Sequence, residues 1–253
     1  MRDPRSILIT GASSGIGEAL AEAYARAGIT LALTGRDAAR LDDIAARCTA
    51  RGAVVRSALV DAGDRAAMAE WLAVVDRDTP VDLAIANAGI SAGTGRGGES
   101  EEQARRIFAI NLDGVLNTIH PLIEPMRRRG RGQLALMSSL ASFRGFPGAP
   151  AYCASKAAVR VYAEGLRGAL KPVGIEVSAI CPGFVRSRMT AGNRFPMPFL
   201  IDTDRAARII MRGLESNRGR IAFPLPIHAG SWLLSVLPSR LADRLTAEAP
   251  VKD

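Results

Sequence analysis

The chain has 253 residues, 48% of them hydrophobic, with a mean hydropathy of +0.10, which is enough apolar content for a sizeable core. No apolar run reaches the ~18–20 residues of a membrane-spanning helix. The net charge is +8, and residues 101–253 hold 22 Lys and Arg against 12 Asp and Glu. A basic half can bind nucleic acid, but no aromatic residues interleave with the arginine run at 127–131. We therefore interpret the charge mainly as a solvated surface and predict no nucleic-acid partner.

The three cysteines, Cys48, Cys153 and Cys181, are odd in number and widely separated. Their spacing fits neither a disulfide framework nor a zinc site, so we predict a reducing compartment and no metal. The first residues, MRDPR, lead into a strand-like run without a signal-peptide core. A cytoplasmic location is the expectation.

Short apolar runs alternate with helical stretches along the chain. Seven strands are predicted at 6–10, 30–34, 54–60, 81–87, 133–138, 175–181 and 220–223. Helices are predicted at about 15–27, 37–51, 64–76, 101–129, 151–171 and 203–216, with a kink near Pro121 and Pro125 in the long one. This rhythm predicts an α/β fold, a parallel sheet covered by helices on both faces, in a single domain over 1–253.

A glycine-rich turn, TGASSGIG at 10–17, follows the first strand and opens the first helix. Its three glycines allow a sharp turn and a close approach to a pyrophosphate, while the helix N-terminus offers free N–H groups. The spacing is G-x-x-x-G-x-G rather than the commoner G-x-G-x-x-G. Its position between a strand and a helix favours a dinucleotide site.

The same residues also match the nucleophile elbow G-x-S-x-G of a serine hydrolase, at 11–15 (GASSG), with His120 or His228 to complete a triad. Little chain precedes residue 13, whereas the hydrolase fold draws its oxyanion-hole strand from upstream sequence. The hydrolase is the alternative interpretation of this turn.

The second strand ends in LTGRD at 33–37. An acidic residue here would bind the adenosine ribose 2′-hydroxyl of NAD. Gly35 instead leaves space, and Arg36 brings a fork of donors suited to a 2′-phosphate. The sequence therefore favours NADP (NADPH) over NAD.

Tyr152 and Lys156 are four positions apart on the predicted helix, so their side chains point the same way one turn apart. A free phenol has a pKa of roughly 10, too high for acid–base work near neutrality. A fixed positive charge nearby favours the phenolate and lowers that pKa.

Taken together, the motifs resemble those of the short-chain dehydrogenase/reductase family, over about residues 6–190. The matching stretches are 10–17 (TGASSGIG), 87–89 (NAG), Asn111, 138–139 (SS), 152–156 (YCASK) and 182–183 (PG). The resemblance implies a Rossmann-like, doubly wound seven-stranded sheet in the order 3-2-1-4-5-6-7. It also implies an enzyme that interconverts a carbonyl and an alcohol by hydride transfer; a non-catalytic NADP-binding scaffold is a further alternative.

The resemblance also implies residue roles. Tyr152 is the general acid/base, Lys156 lowers its pKa and holds the nicotinamide ribose, Ser139 binds the substrate oxygen, and Asn111 holds a water of a proton relay. Asp61 receives the adenine amino group, and Ser187 contacts the carboxamide. The full set of expected cofactor contacts is Gly11, Ser13, Ser14, Gly15, Ile16, Gly17, Arg36, Asp61, Asn87, Ala88, Gly89, Tyr152, Lys156, Pro182, Gly183, Val185 and Ser187.

Two later segments bear on the substrate and on partners. Residues 189–216 are expected to form a substrate lid, in which Phe195, Met197, Phe199 and Leu200 suggest a roof for an apolar carbonyl or alcohol. Residues 224–247 form an apolar C-terminal extension. It is interpreted first as a subunit interface of a homodimer or homotetramer, with a cap over the cleft and a peripheral membrane contact as alternatives.

Overall fold

The computed structural model describes residues 3–91 and 98–247. Its seven strands are β1 (Ser6–Ile9), β2 (Thr30–Gly35), β3 (Val54–Leu59), β4 (Leu83–Ala86), β5 (Gly132–Met137), β6 (Ile175–Pro182) and β7 (Arg220–Phe223). All pair in parallel in the order β3-β2-β1-β4-β5-β6-β7, so the predicted seven-stranded order is confirmed.

Helices cover both faces of this sheet. They are α1 (Gly15–Tyr24), α2 (Ala38–Ala50), α3 (Arg65–Asp78), α4 (Glu101–Phe108), α5 (Gly114–Arg129), α6 (Pro150–Leu170), α7 (Arg188–Ala191), α8 (Thr203–Glu215), α9 (Leu225–Val236) and α10 (Ser239–Thr246). None of the described helices is long and apolar enough to cross a membrane.

Alternation along β1 shows how the two layers form. Ile7 and Ile9 pack into one core cluster with residues of α1, α2 and α8, while Leu8 packs into the other with residues of α3, α5 and α6. Successive side chains of a strand point to opposite faces, and all four residues of β1 are buried. β1 is therefore buried on both faces, as expected for an inner strand of a parallel sheet that helices cover on both sides.

The helix predicted over 101–129 is interrupted by a π-helical turn, Ala109–Asp113, between α4 and α5. The irregularity predicted at Pro121 and Pro125 falls earlier, and both prolines lie within α5. The π-helical turn contains Asn111, whose side chain hydrogen-bonds the backbone of Ile90. A long-range contact, which sequence periodicity does not show, accompanies the irregular turn.

The two segments after β6 differ in their packing. Within 189–216, α8 places Ala206, Ala207, Ile210 and Leu214 in the core, so this part of the predicted lid is packed scaffold. The extension at 224–247 forms α9 and α10, which the prolines at 224, 226 and 238 obscured in the sequence.

Candidate active site

A cavity of about 790 Å³ lies at the carboxyl ends of the parallel strands. The strand order reverses here, because β1 pairs with β2 on one side and with β4 on the other. An open α/β sheet binds its ligand at such a switch point. The cavity is continuous from the loop after β2 to the catalytic candidates on α6.

The glycine-rich turn lines one wall of this cavity and is packed too closely for larger residues. Gly11 has φ +66°, and a Cβ there would lie 2.9 Å from the Ala88 Cα. A Cβ on Gly17 would lie 2.3 Å from the Gly11 carbonyl oxygen. The Asn87 amide holds the turn by donating to the Thr10 carbonyl at 3.0 Å.

At the end of that turn, Ser14 takes an extended backbone conformation as the N-cap of α1 and makes no side-chain capping bond. The first N–H groups of a helix have no partner within the helix, so here they are available to an anion. The turn and the helix start together fit the pyrophosphate of a dinucleotide. Gly17 itself does not line the cavity, and it contributes through the packing of the turn.

Charged residues gather at the end of the cavity beyond the turn. Arg36 lies 3.7 Å from Asp61, and both side chains are about half exposed. Arg40, one turn into α2, pairs with Asp37 at 2.8 Å and also lines the cavity. The sequence analysis missed Arg40, although its position four residues after Arg36 was a usable signal.

At the opposite end, Tyr152 lies near the start of α6, with the Ser139 hydroxyl beside its phenol. Ser139 follows β5, and its Oγ accepts the Ala141 N–H at 3.1 Å. Burial raises the pKa of Tyr152, and the hydrogen bond from Ser139 acts in the lowering direction. Both side chains line the cavity.

Lys156 lies one turn after Tyr152 on α6 and is 3% exposed. Its Nζ donates to the Met137 carbonyl at 2.9 Å and lies 5.8 Å from the centre of the Tyr152 ring. Burial lowers the pKa of Lys156 to about 8. Burial raises the pKa of Tyr152, opposite in direction to the lowering that we expected from the charge of Lys156.

Asn111 is buried behind these residues and does not line the cavity. Its Oδ1 accepts the Ile90 N–H at 2.8 Å, and its Nδ2 donates to the Ile90 carbonyl at 3.0 Å and to the Ser155 Oγ at 3.1 Å. The side chain therefore joins the loop after β4 to α6. Its role in a proton relay stays a prediction.

Most of the predicted cofactor contacts line the cavity. Those that line it are Gly11, Ser13, Ser14, Gly15, Ile16, Asp61, Asn87, Ala88, Gly89, Pro182, Gly183, Val185 and Ser187. Of the predicted roof, Phe195 lines the cavity, whereas Met197, Phe199 and Leu200 do not. Phe146, Ile227 and Ser231, which the sequence analysis missed, also line it.

Neither histidine lies where a serine hydrolase needs it. His120 hydrogen-bonds the Tyr162 hydroxyl at 2.7 Å, and His228 packs against the Phe143 ring at 5.3 Å. Ser13 has no histidine partner among the described residues, and both histidines are described. The hydrolase interpretation of the glycine-rich turn therefore has no geometric support.

Comparison with known proteins agrees with this geometry. A family model described as short chain dehydrogenase matches residues 5–196. An uncharacterized oxidoreductase of Myxococcus xanthus is 36% identical over 240 residues, which are 94% of this chain and 95% of that protein.

Two solved structures are also similar. A short-chain dehydrogenase from Sphingobium yanoikuyae in complex with NADPH matches with a TM-score of 0.80 and 29% identity, covering 92% of this chain and 96% of that one. A bulky-bulky ketone specific alcohol dehydrogenase from Comamonas testosteroni matches with a TM-score of 0.78 and 25% identity, covering 93% and 95%.

Proposed function

The chain belongs to the short-chain dehydrogenase family of oxidoreductases, and from that premise we propose that it interconverts a carbonyl and an alcohol with NADP(H), using Tyr152 as general acid/base. One observation carries the proposal. One cavity joins the glycine-rich turn at 11–16 to Tyr152 and Ser139, which both line it. A dinucleotide lying along the cavity would bring its nicotinamide toward the phenol.

NADPH held by the glycine-rich turn and Arg36 would supply the hydride for reduction of a carbonyl. In that direction Tyr152 donates its phenolic proton to the carbonyl oxygen while Ser139 orients both groups. Burial keeps the phenol protonated and available as an acid near neutral pH. Lys156, with a pKa of about 8, is mostly charged at pH 7 and favours the phenolate left after proton transfer.

The choice of NADP rests on Arg36. It lines the end of the cavity opposite Tyr152, where the second strand ends in Gly35 rather than in an acidic residue. Arg40 adds a second guanidinium at the same end. Two positive groups there suit a 2′-phosphate, which the NADPH bound by the Sphingobium relative carries.

The substrate end of the cavity supports an apolar carbonyl or alcohol. Leu140, Phe146, Phe184, Phe195 and Ile227 line this end beside Tyr152. The rings of Phe184 and Phe195 meet edge to face at 6.1 Å and form part of the wall. A cavity lined this way buries an apolar group well, and a ketone-specific relative is consistent with it.

The test compares wild type with Tyr152→Phe for NADPH binding and for NADPH consumption against a panel of ketones, sugars, steroids and acyl thioesters. We expect turnover in the wild type, a loss of about 10³-fold or more in the variant, and unchanged NADPH affinity. Full activity of the variant would rule out the mechanism. NADPH binding without turnover of any substrate in the wild type would favour the scaffold.

Self-association into a dimer or tetramer stays a prediction for light scattering, as does a cytoplasmic location for cell fractionation.

A further inference from the structure

The helix α9 is unusual for a helix at a protein surface. Its sequence, LPIHAGSWLLSV, contains no Asp, Glu, Lys or Arg, and none of its residues is buried. A helix that is apolar on all sides is normally covered by protein or lipid. The chain therefore leaves an apolar helix face that the described residues do not cover.

The two sides of α9 have different neighbours. Ile227 and Ser231, one turn apart, face inward and line the cavity. Leu225, Trp232, Leu233 and Val236 lie on the other side and are exposed, Trp232 and Leu233 at 53% each. The outer side of α9 is a continuous apolar strip separated from the active site by one helix thickness.

The next helix, α10, continues this strip and adds charge. Leu241 and Leu245 are exposed on one side of α10, while Ala242 and Thr246 on the inner side are buried. Arg240 and Arg244 lie one turn apart beside the exposed leucines and form no ion pair within 3–91 and 98–247. Asp243, the one acidic residue of the two helices, pairs with Arg144 at 2.5 Å.

We propose that the outer face of α9 and α10 docks on the surface of a bilayer that contains anionic lipids. Its aromatic and leucine side chains would enter the interface while Arg240 and Arg244 meet the lipid phosphates. A twofold contact with a second copy would instead place four arginines in one interface, and neither helix has an unpaired acid to match them. The inference goes beyond the proposed function and does not depend on it.

The primary test is flotation of the full chain with vesicles of phosphatidylcholine alone or with 30% phosphatidylglycerol. We expect binding to the anionic vesicles that weakens with added salt. Trp232→Ser/Leu233→Ser should reduce the partition coefficient by at least about tenfold, because two interfacial side chains are lost. Arg240→Gln/Arg244→Gln should reduce it about 25-fold on anionic vesicles and leave the zwitterionic value unchanged.

A matched control removes equally exposed apolar residues at the far edge of the sheet. Val54 and Leu59 of β3 are 59% and 60% exposed, and β3 lies at the opposite edge from β7, which precedes α9. Val54→Ser/Leu59→Ser should bind anionic vesicles as the wild type does. A loss equal to that of Trp232→Ser/Leu233→Ser would show general hydrophobic adsorption and contradict the proposal.

A spectroscopic readout identifies the contacting face. The chain has two tryptophans, and Trp71 packs against the core in α3. Brominated lipids should quench the wild-type emission, and Trp232→Phe should abolish that quenching. NADPH consumption with a water-soluble ketone should be unchanged in the Trp232 variants, which separates this inference from the proposed reaction.

The proposal is wrong if anionic vesicles neither float the protein nor alter its emission. It is also wrong if light scattering shows a dimer that Trp232→Ser/Leu233→Ser converts to a monomer. The face would then be a subunit interface.

Discussion

The charged side chains at the two ends of the cavity differ in their exposure to water. At the end that we propose holds the adenosine (the adenosine end), Arg36 and Asp61 are 49% and 45% exposed and lie 3.7 Å apart. At the end where we propose the reaction takes place (the reacting end), Lys156 is buried and its ammonium donates to the Met137 carbonyl at 2.9 Å. The same kind of charge is screened by water in one place and stripped of water in the other.

The difference in exposure determines how strongly a charge at each end affects folding stability. A half-exposed ion pair contributes about 0–1 kcal/mol, and salt weakens it, so the adenosine end can select between cofactors at little cost to folding. A buried ammonium loses hydration, which moves its pKa and lowers stability together. The reacting end is therefore where activity and stability should conflict.

Lys156→Met should have the largest effect on activity and stability of the substitutions proposed at either end. We expect kcat/KM to fall by at least about 10²-fold, because the positive charge that favours the phenolate is removed. The pKa of Lys156 falls from 10.5 to about 8, so the buried charge costs about 3 kcal/mol of folding stability at pH 7. Loss of the bond to the Met137 carbonyl offsets part of this, so the variant should be more stable by about 1–2 kcal/mol in urea unfolding at pH 7.

The pH dependence of that difference is its control. Because the folded pKa lies below the unfolded value, wild-type stability should rise as pH increases from 8 to 10.5, while that of Lys156→Met lacks this rise. The advantage of the variant should therefore shrink as pH rises and reverse by about pH 10. A variant less stable than wild type at pH 7, with a pH-independent difference, would show that desolvation of Lys156 is not the dominant effect.

Ser139→Ala tests whether the Ser139 hydroxyl acts in the reaction. Removing its hydroxyl should lower kcat by about 10²-fold with little change in NADPH affinity. Since the bond from Ser139 lowers the Tyr152 pKa, the alkaline limb of the pH profile should move to higher pH. Ser138→Ala is the matched control, because Ser138 Oγ donates to the Lys156 carbonyl at 2.7 Å and supports the helix backbone. It should cost about 1 kcal/mol of stability and affect kcat less; the reverse order would assign the role to Ser138.

The sequence predicted a parallel sheet because the strands are short apolar runs separated by helices, and the strand order followed from the family resemblance. It also predicted Arg36, Ser139, Tyr152 and Lys156 as neighbours of one cleft, since motif positions at strand and helix ends determine where such residues lie. The direction of the Tyr152 pKa could not be predicted this way. Burial depends on the whole packed fold, whereas the charge of Lys156 is visible at a spacing of four residues.

The sequence was least informative where long-range packing decides the structure. The π-helical turn at 109–113 accompanies a hydrogen-bonded contact between Asn111 and Ile90, 21 positions apart. Prolines at 224, 226 and 238 concealed α9 and α10. We predicted Phe199 as a roof residue because it is apolar. Its backbone takes φ +55°, and its side chain is 57% exposed.

Arg36→Ala tests the exposed end. The KM for NADPH should rise by about tenfold and that for NADH should stay unchanged, because only NADPH offers a 2′-phosphate to the guanidinium. High salt should shrink the difference between variant and wild type. Arg56→Ala is the control, since Arg56 pairs with Asp78 at 2.7 Å, is similarly exposed and lies outside the cavity lining. An equal weakening of both cofactors would contradict a role in selection.

Asp61→Asn should have the smallest effect and is the most informative about the adenosine end. The carboxylate competes with a 2′-phosphate for Arg36, so neutralising it should lower the KM for NADPH by up to about fivefold, the full range of an exposed ion pair. The amide keeps an acceptor oxygen for the predicted adenine contact, so the KM for NADH should not change. Asp61→Ala removes that acceptor as well and should raise the KM for NADH. If Asp61→Asn instead weakens NADPH, Asp61 orients Arg36 toward the phosphate rather than competing for it, and the exposed end is then as pre-organised as the buried one.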